Sequence, residues 1–213
     1  MRKFDYSYVT LEEGVSSQYE DEIFLPGKAV DARYVRSVNA YDNGNPFIEA
    51  LPLPRETSNE LKSAYEIGIP GYRNDVHKSP AFCLRELSLL EDIRFKLNFH
   101  SSLELEHYNC IIESYRHREF LQGTQCGSKV IGKAMGATTG YNLVGKSGSG
   151  KSAALDVLLS HYPQVINHTF EGVGQFKQIT YLVVNAIPND NFKAFYRAIG
   201  KAVDEALGFT EPL

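Results

Sequence analysis

Gly145-Lys-Ser-Gly-Ser-Gly-Lys-Ser152 is the stretch from which the rest of the chain can be read. It fits the spacing G-x-x-x-x-G-K-[ST], a loop that cradles phosphate. The spacing has a chemical reason. Glycines let the backbone curl until successive N–H groups point inward at phosphate oxygens. Lys151 is placed to reach the β- and γ-phosphates as a point charge, and the Ser152 hydroxyl to ligate Mg²⁺. A helix starting near Lys151 turns the positive end of its dipole on the same anion. Gly145, Lys146, Ser147, Gly148, Ser149, Gly150, Lys151 and Ser152 are therefore the candidates for holding a nucleotide, with Ser152 on the metal.

The flanks agree with this. Thr139-Gly-Tyr-Asn-Leu-Val144 reads as a short buried strand. Ala153-Ala-Leu-Asp-Val-Leu-Leu-Ser160 carries apolar residues at helical spacing. Strand, loop and helix in that order are the context the motif requires. The alternative is a glycine-serine linker that matches by chance. At average composition the four fixed positions coincide in a chain of this size less than ~1% of the time.

The bulk numbers narrow the class. At 213 residues the chain holds one large domain, or a small one and part of a second. Its apolar content of 43% and aromatic content of 12% are ample for a core. A formal charge of −4 is no basic footprint, so nothing global argues for independent DNA binding, although local basic patches remain compatible with it. No run approaches the ~20 apolar residues of a membrane span. The start, Met1-Arg-Lys-Phe-Asp-Tyr-Ser-Tyr8, lacks the apolar core of a secretory signal. Cys83, Cys110 and Cys126 form no C-x-x-C pair, and reduced thiols in a cytoplasm are the simplest reading. His107 and Cys110 share a helix face three residues apart, but no second such pair supports a zinc site.

Residues 1–25 are acidic and poorly periodic, with Glu12-Glu13 and Glu20-Asp21-Glu22. They read as an arm or a loosely docked segment with a solvated charged face; an interaction tail is the alternative. Turn residues follow at Pro26-Gly27, Asn43-Gly44-Asn45-Pro46, Pro52 and Pro54. Asn45-Pro-Phe-Ile-Glu-Ala-Leu-Pro52 is apolar and trapped between prolines, so it cannot form a long helix. It is either a turn packed on its own core or a segment docked across another surface.

Asn59 to Glu66 predicts a short helix, stopped by Gly68 and Pro70. Ala81 to Phe99 predicts an amphipathic helix, with Leu84, Leu87, Leu90, Ile93 and Leu97 in its stripe. A second helix is predicted from a cap at Ser101 or Ser102 to Arg118, with a stripe of Leu105, Tyr108, Ile111, Ile112 and Tyr115. The pair suggests a helical hairpin. Tyr115-Arg-His-Arg118 suits the negative end of that helix, with a phosphate or DNA contact as the alternative. Glycine-rich Gln122 to Gly140 is loop. Beyond the phosphate loop, Val165 to Phe170 predicts a short strand, and Gly172 and Gly174 a turn. Gln178-Ile-Thr-Tyr-Leu-Val-Val-Asn185 is the strongest strand pattern in the chain. Pro188-Asn-Asp-Asn191 caps a helix over Phe192–Leu207 that Gly208 ends.

Three stretches together resemble the AAA+ ATPase regulators of bacterial transposition, the TnsC/TniB type. They are Asn45–Pro52, then Ser102-Leu-Glu-Leu-Glu-His107 through Tyr115-Arg-His-Arg118, and then Gly145 to Gly208. The last is the most specific. It holds the phosphate loop, Tyr162-Pro-Gln-Val-Ile-Asn-His168, the strand at Ile179–Val184 and the closing Ala206-Leu-Gly208, in the family's order. The resemblance covers about residues 40–210 with gaps. The family has glycine before the tyrosine and Arg-Asn-Pro after it. Here Ser114 precedes Tyr115 and Glu119-Phe120 follows Arg118, so no adenine-side role is carried over.

The resemblance implies an α/β P-loop NTPase core of the AAA+ type, incomplete at its C-terminus and preceded by a mostly helical region. Residues 1–40 would be an arm, 41–125 the docking segment and hairpin, and 126–213 a partial ATPase domain. It implies ATP and Mg²⁺ as ligands. It implies a homo-oligomer on DNA that recruits or activates transposase, with target-selection proteins as further partners and no membrane. Hydrolysis in that class needs an apolar strand ending in acidic residues. No four apolar residues followed by Asp-Glu occur after Ser152: Leu182-Val-Val-Asn185 ends in an amide, Asp190 lies in a turn, and Asp204-Glu205 lies on a helix. The chain is thus expected to be the N-terminal portion of such an ATPase, able to cradle a nucleotide and poor at hydrolysing it. A small P-loop kinase is disfavoured, since Arg197 is the only arginine after the loop to serve a lid. A non-catalytic interaction module is the remaining alternative.

Overall fold

A computed structural model describes residues 6–13, 17–19, 22–37, 39–68, 80, 93–116, 139–170, 174–186 and 192–209. These form a mixed α/β structure. The strands are β1 (Ala29–Asp31), β2 (Val165–Phe170) and β3 (Gly174–Ile179). The helices are α1 (Pro46–Glu49), α2 (Ser58–Tyr65), α3 (Phe99–Arg116), α4 (Lys151–Leu159) and α5 (Phe192–Leu207). The sheet order is β1-β2-β3, with β1 parallel and β3 antiparallel to β2.

β2 is the strand the fold is built on. Val165, Ile166, His168 and Phe170 are buried, while Thr169 is exposed. With a partner on each edge and packing on both faces, β2 needs a nearly continuous buried run. Its ladder with β3 runs from Phe170↔Gly174 to Val165↔Ile179. The strand predicted at Gln178–Asn185 is therefore displaced: pairing begins at Gly174, placed by the sequence in a turn, and regular strand ends at Ile179. Thr180 still reaches the start of β2, donating from N to Gln164 O and from Oγ1 to Pro163 O. Tyr181 to Ala186 then run without strand pairing.

Thr139–Val144 is likewise no strand, and Val144 is 90% exposed. β-propensity alone makes no strand without a ladder partner. Among the described residues, β1 and β3 occupy both edges of β2 and neither pairs with this segment.

The helices follow their local signals. Thr57 and Glu60 close a reciprocal capping box on α2. α5 has its predicted bounds, and Gly208, at φ 78°, ends it: Phe209 N donates to Asp204 O at 2.9 Å and Gly208 N to Glu205 O at 3.2 Å. α3 starts at Phe99, before the predicted serine cap; Ser101 lies inside its first turn and donates to Asn98 O. Its buried set is His100, Leu103, Glu104, Ile111, Ile112 and Tyr115, whereas Leu105, expected in the stripe, is 49% exposed.

The helix predicted over Ala81–Phe99 fails at its C-terminal end. Ile93 to Leu97 are not helical, and Arg94 exchanges both backbone hydrogen bonds with Ile67 at 3.1 Å. That non-local bridge overrides the apolar period. Residues 81–92, Gly123 to Gly136, and the cap at Pro188–Asn191 lie outside the described residues.

One buried cluster unites these elements. Phe47, Ile48 and Leu51 from the proline-bounded segment meet Leu61 and Tyr65 of α2, Leu103, Ile111, Ile112 and Tyr115 of α3, Ala154 and Leu158 of α4, and Ile166 and Phe170 of β2. The segment at residues 45–52 thus packs on the core of its own chain. So do Tyr6, Tyr8, Gln18, Tyr19 and Phe24 of the expected loose arm. Tyr19 donates from its hydroxyl to Ala50 O at 2.8 Å, Gln18 from Nε2 to Leu51 O at 2.8 Å, and Phe24 N to Ser160 O at 2.9 Å. The acidic composition hid the aromatic residues that do the docking, Tyr6, Tyr8, Tyr19 and Phe24.

Candidate phosphate-binding site

The loop at 145–152 is shaped by its glycines. Gly148 has φ 76° and Gly150 φ 78°, in the left-handed region where a side chain is strained. A Cβ on Gly145 would fall 2.9 Å from Ser149 Oγ. Ser149 N donates to Lys146 O at 3.3 Å, closing the turn. Gly150 is the N-cap of α4, and no side chain caps that helix. First-turn N–H groups of α4 are thus left for water or an anion.

Lys151, the first residue of α4, arches back over the loop. Its Nζ donates to Gly145 O and Lys146 O at 2.8 Å and reaches Ser149 Oγ at 3.3 Å. All of Gly145 to Gly150 and Ser152 are exposed, while Ala154 and Leu158 on the far side of α4 are buried. The arrangement presents an ammonium and a left-handed turn to solvent from a helix anchored in the core. It can bind a phosphate by exchanging the carbonyl acceptors of Nζ for anionic phosphate oxygens. The residues fit the group they are predicted to hold: small side chains, a lysine within reach of the loop, and the Ser152 hydroxyl at the helix start for Mg²⁺.

No family model matches the chain, and no curated protein is significantly similar to it. The loop geometry therefore stands on its own residues.

No carboxylate is positioned as a second metal-side group by the described elements. Asp156 is exposed on α4. Glu205 pairs with Lys201 at 3.5 Å on α5. Glu205 borders, with Asn185 and Lys201, a shallow depression of about 280 Å³ between residues 183–186 and α5 in which no residue of the phosphate loop takes part.

The Tyr115 corner is structural. Tyr115 stacks on Phe47 at 5.5 Å between ring centroids and donates from its hydroxyl to Ile179 O. Arg116 holds Asp42 with Nε and Nη2 at 2.9 and 3.1 Å and also pairs with Glu113. Its guanidinium is engaged within the fold rather than offered to a phosphate or DNA. His117 and Arg118 lie outside the described residues. His107 hydrogen-bonds Tyr141 through Nδ1 at 3.0 Å, and burial lowers its pKa to about 4. Cys110 is a free thiol whose pKa burial and then Glu106 raise. No cluster of three or more metal-type ligands occurs among the described residues.

Sequence reasoning missed three buried polar groups. Glu49 accepts from the hydroxyls of Tyr6 and Tyr8 and from Gly44 N. Tyr34, His168 and Gln178 form a chain that ends on Phe47 O. Arg55 pairs with Glu104, which also accepts from Tyr65. The available signal was a charge inside an apolar run: Glu49 in Phe-Ile-Glu-Ala-Leu, and Glu104 between two leucines.

Proposed function

We propose that this chain binds ATP with Mg²⁺ through Gly145–Ser152. The carrying observation is the loop itself: two left-handed glycines, an uncapped helix N-terminus, and Lys151 Nζ held over the loop carbonyls. In this reading the loop N–H groups and Lys151 hold the phosphates, and Ser152 holds the metal. Burial of Ala154 and Leu158 keeps α4 fixed while the loop adapts.

The wider proposal is a P-loop NTPase of the AAA+ type that regulates DNA transposition. Within it, the intact protein assembles on target DNA as a homo-oligomer and recruits or activates transposase. The resemblance of residues 45–52, 102–118 and 145–208 to TnsC/TniB-type regulators supports this. Described helices hold no segment long and apolar enough to cross a membrane.

A second reading has its own support. Leu182-Val-Val-Asn185, the most apolar run after Ser152, ends in an amide rather than a carboxylate, which fits an interaction module that binds nucleotide without turnover. ADP release on mixing with Mg-ATP separates the two, and DNA assembly tests the first. DNA assembly of the protein is followed by gel shift with and without Mg-ATP, for wild type and Lys151→Ala. Assembly that needs nucleotide and is lost in the variant supports the regulator. Assembly unchanged by Lys151→Ala overturns it.

A further inference from the structure

Arg55 lies at the opposite end of α4 from the phosphate loop. Its Nη2 donates to Val157 O at 3.0 Å, in the last turn of that helix. A guanidinium there meets the negative end of the dipole whose positive end is the loop. The Arg55 side chain is 11% exposed and Glu104, its counter-ion at 2.9 Å, is fully buried. The Tyr65 ring lies 5.3 Å below the guanidinium carbon, and the Tyr65 hydroxyl bonds the same Glu104 oxygen at 2.8 Å. Leu53, two residues earlier, accepts from His161 Nε2 at 2.7 Å. Residues 53–55 therefore grip the end of α4 at two points.

We propose that Arg55 is a positioning residue for the phosphate loop. It ties the segment at residues 45–55 to α4 and so sets where Gly150, Lys151 and Ser152 sit. The inference rests on the nucleotide-binding reading above and adds its regulation. α4 is short, tied by Arg55 at its last turn and uncapped at its first. A displacement of residues 45–55, by a partner or by the N-terminal segment that binds Ala50 and Leu51, is transmitted along α4 to the loop. By linkage, a nucleotide on the loop in turn stabilises residues 53–57.

Removing Arg55 alone leaves Glu104 charged and unpaired in the core, and such a variant is prone to unfold. The test therefore uses Arg55→Lys, which keeps charge without the planar fork, and the double variant Arg55→Met with Glu104→Met, which leaves no orphaned charge. Affinity for a fluorescent ATP analogue with Mg²⁺ is measured well below each protein's melting temperature, beside wild type and Lys151→Ala. The expected result is affinity weakened about three- to tenfold in the double variant, the scale of a lost helix-end charge, and a smaller loss in Arg55→Lys, which keeps the charge and loses the fork. Hydrogen exchange of wild type supplies a readout independent of any variant, with slower exchange at residues 53–57 expected on saturation with Mg-ATP. Folded Arg55 variants with wild-type affinity, or exchange at 53–57 indifferent to bound nucleotide, overturn the proposal. Absence of nucleotide binding by wild type overturns the underlying reading instead.

Discussion

Asn45 donates from Nδ2 to Tyr115 O at 3.0 Å, so the start of the proline-bounded segment is fastened to the last turn of α3. The same side chain caps α1, its Oδ1 accepting from Phe47 N at 3.1 Å. One amide thus satisfies a helix start and a helix end. The two bonds separate by mutation. Asn45→Ser keeps a capping oxygen and loses the donor; Asn45→Ala loses both. Urea unfolding is expected to show a loss of about 1 kcal/mol for serine and about 2–3 kcal/mol for alanine. An Asn45→Ser variant as stable as wild type would mean that the bond to Tyr115 contributes nothing, and equal losses in the two variants that the cap contributes nothing.

Glu49 holds the N-terminal segment down. It is buried and receives Tyr6, Tyr8 and Gly44 N, and burial raises the pKa of both tyrosines. Glu49→Ala leaves these donors unpaired, at a cost of about 3 kcal/mol or more. Limited proteolysis is expected to cut before residue 13 much faster in the variant. An unchanged cleavage pattern contradicts the tether.

His168 predicts acid sensitivity. Its Nδ1 lies 2.8 Å from the Tyr34 hydroxyl and its Nε2 2.8 Å from Gln178 Oε1. Gln178 Oε1 only accepts, so Nε2 carries the proton and Nδ1 accepts from Tyr34. Burial keeps the ring neutral, lowering its pKa from 6.5 to about 4. Below pH 6.5 the unfolded chain takes up a proton that the folded chain refuses. The stability is present above pH 6.5 and is lost progressively as pH falls toward 4, by on the order of 2–3 kcal/mol. His107 acts in the same direction. Glu104, raised by burial, acts oppositely, because there the folded state holds the proton. The slope of the urea midpoint between pH 7.5 and 5 should therefore flatten in His168→Gln relative to wild type. Identical slopes contradict the assignment.

What the sequence made legible was local. The loop spacing, the Gly208 stop of α5 and the run of β2 depend on residues close in sequence, and all appear where the pattern puts them. What it concealed was long-range. Ile67 pairing with Arg94 takes Ile93 to Leu97 out of the helix that the apolar period carried through to Phe99. β3 pairs with β2 from Gly174 to Ile179, so the partner strand, and not the apolar run at Gln178–Asn185, sets where the pairing lies. Arg55 and Glu104 meet across 49 positions (104 − 55), and nothing in either neighbourhood announces the other.

Two glycines should respond oppositely to alanine. Gly200 is exposed inside α5 with open space at its Cβ position, so Gly200→Ala is expected to stabilise by about 0.5–1 kcal/mol. Gly150 has φ 78°, so Gly150→Ala is expected to cost about 1–2 kcal/mol and to distort the loop. Thermal melts compare the two directly, and a stabilised Gly150→Ala would contradict the loop geometry.

Titration of a fluorescent ATP analogue with Mg²⁺ into wild type and Lys151→Ala tests the central claim most directly. Saturable binding by wild type, weakened at least about tenfold when the charge-assisted contacts of Nζ are removed, is the predicted result. Wild type that binds no nucleotide, or a folded Lys151→Ala that binds as tightly as wild type, would contradict it.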